Sequence, residues 1–214
     1  MHFPQINTIF FHIPKCGGMT IIDLMLSNSL LPVEFKFHLK VSDFSNNVLD
    51  NNFKFTFVRN PWSRLVSHYF FQGPGAPEWP ETSYSHLSNQ LKVTRQYRIP
   101  SNKRFQKISF ADFIKDYVCR TDLNNDDHNL EIRHPIHKRL LDKNGQLKID
   151  FIGRNETYSE DLEILCEKLN LENHNKIKNK RRNTTDYRDY YDANLQGLVQ
   201  EFYRDEIEFF DFEF

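Results

Sequence analysis

The segment Phe10-Phe11-His12-Ile13-Pro14-Lys15-Cys16-Gly17-Gly18-Met19-Thr20 constrains this chain more than any other. A β-type apolar run ends at Ile13, a loop with one lysine and two glycines follows, and an apolar stretch of helical character begins at Thr20. Strand, glycine-containing loop and helix in that order build an anion site. Loop and helix N–H groups converge on the ligand, and the helix dipole favours negative charge. The pattern departs from a Walker A loop, whose Lys follows the second Gly and precedes a Ser or Thr. Here Lys15 comes before both glycines. A phosphate-like ligand fits this order and an ordinary Mg-ATP site does not. The purely structural alternative is a tight strand-to-helix turn that needs glycine at positive φ.

A second segment favours the anion reading. Phe53-Lys54-Phe55-Thr56-Phe57-Val58 is β-rich and runs into Arg59-Asn60-Pro61-Trp62-Ser63-Arg64-Leu65-Val66-Ser67-His68-Tyr69-Phe70-Phe71. Asn60 suits an N-cap and Pro61 the first helical position. Arg59 then stands at the carboxyl end of a strand, where ligands bind in open α/β sheets. Ser67 lies two turns into the helix, and the two side chains converge on a second phosphate. The structural alternatives are an ion pair for Arg59 and a helix-surface position for Ser67.

These two motifs resemble those of the sulfotransferases. His12 to Thr20 is similar to the family's 5′-phosphosulfate loop, and Phe57 to Phe71 to its 3′-phosphate motif, an Arg followed eight residues later by a Ser. The likeness is to the carbohydrate type (family 2), which includes heparan sulfate 2-O-sulfotransferases and bacterial relatives. It continues through Asp150-Phe151-Ile152-Gly153-Arg154-Asn155-Glu156, Tyr187-Arg188-Asp189-Tyr190-Tyr191-Asp192 and Tyr203 to Phe210, and is weakest at 72–130.

At 214 residues the chain has the length of a single domain, 1–214, with a substantial core. Twenty Phe and nine Tyr supply aromatic mass to bury. A net charge of −1 gives no global field toward nucleic acid or an anionic membrane. Basic residues cluster locally at 92–107 and 176–182. Three widely spaced cysteines give neither zinc spacing nor a disulfide framework, which favours a reducing compartment. Cys16 reads either as a low-pKa thiolate or as a small residue that fits the loop. No signal peptide or membrane-length apolar run is visible. Eukaryotic relatives carry an N-terminal membrane anchor, so the expectation is a bacterial cytoplasmic enzyme, or one at the inner face of the membrane.

The periodicity predicts a strand at 8–13, a helix at 19–30, a turn region at 45–52, a strand at 53–58 and a helix at 61–71. A loop or lid follows at 72–107. Further helices are predicted at 109–118 capped by Ser109, at 159–169 capped by Ser159 and at 192–204, with a strand at 149–153. Alternating strands and helices imply an α/β fold with a central parallel sheet flanked by helices, P-loop-like and three-layered.

The resemblance implies 3′-phosphoadenosine 5′-phosphosulfate (PAPS) as sulfuryl donor, a carbohydrate or glycoconjugate acceptor and no metal. Lys15 then neutralises charge at the breaking bond. The N–H groups of Cys16, Gly17, Gly18 and Met19, with the Thr20 hydroxyl, cradle the 5′-phosphate, and Arg59 and Ser67 hold the 3′-phosphate. His38 resembles the catalytic base of the 2-O-type enzymes, which have two histidines one residue apart; this chain has Lys36 at the first of those positions. His128, His134, His137 and Asp23 remain open as alternatives. Residues 180–185 fall where the family closes a loop over the nucleotide, and the stretch 92–107 suits an acceptor. The rival readings are a P-loop kinase and a non-catalytic nucleotide-binding relative.

Overall fold

The computed structural model describes residues 1–33, 39–72, 107–120, 128–173 and 185–214. Strand β1 (His2–Phe3) runs antiparallel to β2 (Thr8–Phe11), pairing His2 with Ile9. Helix α1 (Gly18–Ser27) and the short α2 (Asn46–Asp50) follow, then β3 (Phe53–Val58) and α3 (Pro61–Gln72). Next come α4 (Phe110–Asp112), which widens into a π-helical turn over Phe113–Val118, a 3-10 turn at His128–Arg133 and α5 (Ile136–Leu140). The chain ends with β4 (Phe151–Arg154), α6 (Tyr158–Leu169), α7 (Ala193–Phe202) and α8 (Arg204–Phe210).

The sheet order is β1-β2-β3-β4, with β2, β3 and β4 parallel. Register places Thr8 beside Phe53 and Phe55 beside Phe151. This is the expected α/β architecture. The parallel strands read as near-continuous apolar runs because both faces are covered. Thr8–Phe11 is buried throughout, and Phe10 stacks on Phe55 at 5.0 Å. Thr56, a polar side chain deep in this layer, donates to the Phe11 carbonyl at 2.7 Å. A second apolar cluster lies on the far side of α3, where Trp62, Leu65, Val66 and Tyr69 meet Phe113, Ile114, Val199 and Tyr203.

Several elements differ from expectation for local reasons. The Asn-rich stretch forms α2 because Leu49 is a buried apolar anchor within it and Asn51 donates back to the Asn47 carbonyl at 2.7 Å. Ser109 caps α4 as expected, accepting from the Asp112 amide at 3.1 Å. The helix then widens, and the Cys119 amide reaches the Ile114 carbonyl five residues back at 2.9 Å, which keeps Phe113, Ile114 and Val118 all buried. Helix α6 begins before Ser159. Asp161 organises its start by accepting from the Thr157 hydroxyl and the Arg154 amide, both at 2.7 Å. The helix predicted at 192–204 is α7, capped by Asp192, and it is followed by a further helix, α8, from Arg204.

Candidate functional site

Parallel pairing of β2 and β3 sets their carboxyl ends side by side, so the loops that leave them meet. Arg59, directly after β3, donates through Nη1 to the Lys15 carbonyl at 3.2 Å. Two motifs 44 residues apart in sequence thus come into direct contact. The rest of the Arg59 fork is satisfied by Ser63, whose hydroxyl accepts from Nε at 2.9 Å and Nη2 at 2.8 Å. Asn60 caps α3, accepting from the Trp62 amide at 3.0 Å. Ser67 lies one turn beyond Ser63 on the same stripe and is half-buried.

The first loop has an unusual backbone. Lys15 has φ +65° and Gly17 φ +83°. A left-handed non-glycine residue costs on the order of 1 kcal/mol and persists only where its surroundings hold it. Each glycine is enforced by a neighbour as well. A Cβ on Gly17 would stand 2.4 Å from Tyr158, and one on Gly18 1.8 Å from the His12 ring. His12 therefore packs under the loop. The Tyr158 hydroxyl donates to the Gly17 carbonyl at 2.8 Å and also bonds the Thr20 side chain. The Thr20 hydroxyl expected at a phosphate is thus engaged with Tyr158. The Thr20 amide is taken by the Gly17 carbonyl at 3.0 Å, and the Cys16 amide makes a long bond of 3.4 Å to Ile13. The first N–H groups of any α-helix lack intrahelical acceptors, and in α1 these include the Gly18 and Met19 amides.

Electrostatics separates the groups further. Burial, then the Arg59 charge, pushes the Lys15 ammonium down to about 7, with Cys16 acting in the opposite sense. Its Nζ sits 3.7 Å above the centre of the Phe71 ring. Burial pushes the Cys16 thiol up to about 12, and its Sγ meets the Pro14 carbonyl at 3.5 Å. The thiolate alternative is set aside, and Cys16 fills the loop. Arg64 is structural: its guanidinium meets Glu206 at 2.9 Å in a fully enclosed ion pair. Among the described residues no cluster of His, Cys, Asp and Glu is arranged to hold a metal ion.

His38 lies outside the described residues, as do nearly all of 72–107, the basic runs at 92–107 and 176–182, and most of 180–185. The side chain of His128 does too. His134 is lowered from its ordinary value, first by burial and then by Arg139, and it also feels Lys40. This places the 133–139 segment against the residues that immediately follow His38. His137 is buried and stacks on Phe209 at 5.6 Å, which marks it as a packing residue. Asp23 lies within α1.

Four contributors were missed by sequence reading: Ser63, Phe71, Tyr158 and Glu156, whose carboxylate accepts from the Asn60 amide at 2.9 Å. Only Ser63 and Phe71 carry a local signal. They fall four and twelve residues after Arg59, on the stripe that holds Ser67.

A model of the sulfotransferase family matches residues 2–213. No curated protein and no solved structure matches the chain.

Proposed function

From the chain's membership of the sulfotransferase family, a family of transferases, we propose that it moves the sulfuryl group of PAPS to a hydroxyl of a carbohydrate acceptor, without a metal. The observation that carries this reading is the meeting of Arg59 with the Lys15 loop at the ends of two adjacent parallel strands. A donor with phosphates at both ends of its nucleoside needs two anion loops that face one ligand. In this reading the Gly18 and Met19 amides, with those of Cys16 and Gly17, hold the 5′-phosphate, and Thr20 is braced by Tyr158. Arg59 and Ser67 hold the 3′-phosphate, with Ser63 setting the fork. Residues 1–214 act as one domain. No described helix is long and apolar enough to cross a membrane.

The reaction is an in-line displacement. An S–O bond forms to the acceptor oxygen while the bond from sulfur to the bridging phosphate oxygen breaks. Adenosine 3′,5′-bisphosphate leaves, and the acceptor proton passes to a base. Lys15 supports the charge that grows on the leaving phosphate.

Adenosine 3′,5′-bisphosphate should raise the melting temperature in the absence of Mg²⁺, because a ligand that binds only the folded state stabilises it. ATP, which lacks a 3′-phosphate for Arg59 and Ser67, should shift it less. Equal shifts, or a strict need for Mg²⁺, count against this reading and for a kinase.

Arg59→Ala should weaken bisphosphate binding about 10- to 150-fold, the equivalent of roughly 1.5–3 kcal/mol for a charge-assisted phosphate contact. Calorimetry with an unchanged dissociation constant would remove Arg59 from the site.

The base is proposed to be His38, by its sequence position. His134 is the rival, because its lowered proton affinity keeps it neutral and its segment packs beside Lys40. Donor turnover should rise with pH through a group near about 6.5. His38→Ala should lose that limb; loss in His134→Ala alone moves the base to the later segment.

A further inference from the structure

Helix α3 presents one residue every four positions along a single stripe, Ser63, Ser67 and Phe71, continuing from Arg59. The first holds the Arg59 fork. The last is in the final turn of the helix, and its ring lies 3.7 Å from the Lys15 ammonium. Its neighbours point elsewhere: Tyr69 and Phe70 pack in the aromatic core, Phe70 against Tyr190 at 5.3 Å. A lysine ammonium attracted to a ring face is held by the ring's quadrupole, and the attraction grows when the pair is withdrawn from water. Lys15 and Phe71 are each half-buried.

We propose that Phe71 is a positioning residue for Lys15, its ring backing the ammonium from one side so that the opposite side meets the leaving phosphate of the donor. This rests on the sulfuryl-transfer reading above. A four-carbon side chain on a left-handed loop residue has many rotamers, and an unsupported ammonium would lose entropy at each catalytic event. The ring removes part of that loss in advance. It is suited to the task because it competes with no anion: a carboxylate in its place would neutralise Lys15 and repel the phosphate. Among the described residues, the charged and titratable groups facing Lys15 are Arg59 and Cys16. One is a like charge and the other a neutral thiol, so neither could hold the ammonium in place. The burial that lowers Lys15 to about 7 is consistent with an apolar neighbour at this distance.

The test uses the full chain, with lysine side chains labelled for NMR and Lys15 assigned through Lys15→Arg. In the wild type the protons beside the Lys15 nitrogen should be shifted upfield by the ring current. Phe71→Leu, which keeps apolar bulk but no ring, should abolish that shift, and Phe71→Tyr should retain it. In parallel, single-turnover hydrolysis of labelled PAPS, with water as acceptor, should slow about 2- to 30-fold in Phe71→Leu, the span a cation–π contact represents. Bisphosphate affinity should change less than the rate, and Phe71→Tyr should restore the rate. A Lys15 signal at its ordinary position in the wild type overturns the proposal. So does a Phe71→Leu protein as fast as wild type, or a Phe71→Tyr protein as slow as Phe71→Leu, which would assign the ring to packing. If no variant and no wild type turns PAPS over while the NMR shifts behave as stated, the sulfuryl-transfer reading fails and the placement of Lys15 by Phe71 stands.

Discussion

Glu206→Leu should destabilise the protein by about 3–5 kcal/mol, the penalty for removing one partner of a buried ion pair. Glu206 is 0% exposed and Arg64 1%. The Arg64 Nη2 group reaches both carboxylate oxygens, at 2.9 and 3.2 Å, and the Ile136 amide donates to the same carboxylate at 2.6 Å. Burial, the largest single influence, disfavours the guanidinium charge, but Glu206 first, then Tyr203 and Cys16, together outweigh it and lift Arg64 above its ordinary value. Leucine leaves that charge and the Ile136 amide without an acceptor in a site closed to water. Because domains are stable by only about 5–15 kcal/mol, such a loss brings the variant near the unfolding threshold. Urea unfolding measures it. The double variant Arg64→Met/Glu206→Leu should recover most of the loss, since apolar replacement of both partners is often neutral or better. A single variant within about 1 kcal/mol of wild type would mean that water reaches the pair. The pair matters for function through its position. Arg64 lies between Ser63 and Ser67 in sequence but turns away from their stripe, fixing α3 to α5 and α8 from behind.

Lys15→Ala should cut single-turnover donor breakdown by about 10²–10³, the usual effect of removing one preorganised group at a site of developing charge. A second readout follows from its proton affinity. In the empty site Lys15 titrates at about 7, so at pH 8 most molecules carry it neutral. A bound phosphate favours the charged form and raises that value. Binding at pH 8 must therefore take up protons, and bisphosphate affinity must fall as pH rises above about 7. Calorimetry in buffers of different ionisation enthalpy reports the uptake directly. Lys15→Ala should show none. Uptake that persists in the variant would place the titrating group elsewhere, and a rate within a few-fold of wild type would remove Lys15 from the chemistry.

The strands, the two loops and α3 were legible because each carries its own local signal. Phe53–Val58 is an uninterrupted β-type run, and Asn60-Pro61 states a helix start in two residues. Lys15 and Arg59 were legible as separate cations; their contact follows only once β2 and β3 are known to be neighbours. Other features depend on distant partners and leave no local trace. Tyr158 reaches Gly17 across the fold from the start of another helix, and nothing around residue 158 announces that contact. Thr20 read as a phosphate ligand because its place in the motif is the same whether or not a tyrosine meets it. The Asn-rich segment misled because propensity favours turns there, whereas one buried leucine was enough to fold it into a helical turn.

The turn that joins β4 to α6 touches both loops of the candidate site. Glu156 accepts from the Asn60 amide, and Tyr158, its ring packed against Phe57 at 4.9 Å, holds the Gly17 carbonyl. Two residues apart in sequence, they act as a ruler between the loops. If the proposed donor binds here, the spacing they set is a spacing between its phosphates, and the protein would measure that ligand rather than merely neutralise it. An isomer with its second phosphate on the 2′ oxygen carries the same charge and the same base, and differs only in where that phosphate falls. Discrimination between the two isomers would then originate in a tyrosine and a glutamate that touch neither phosphate.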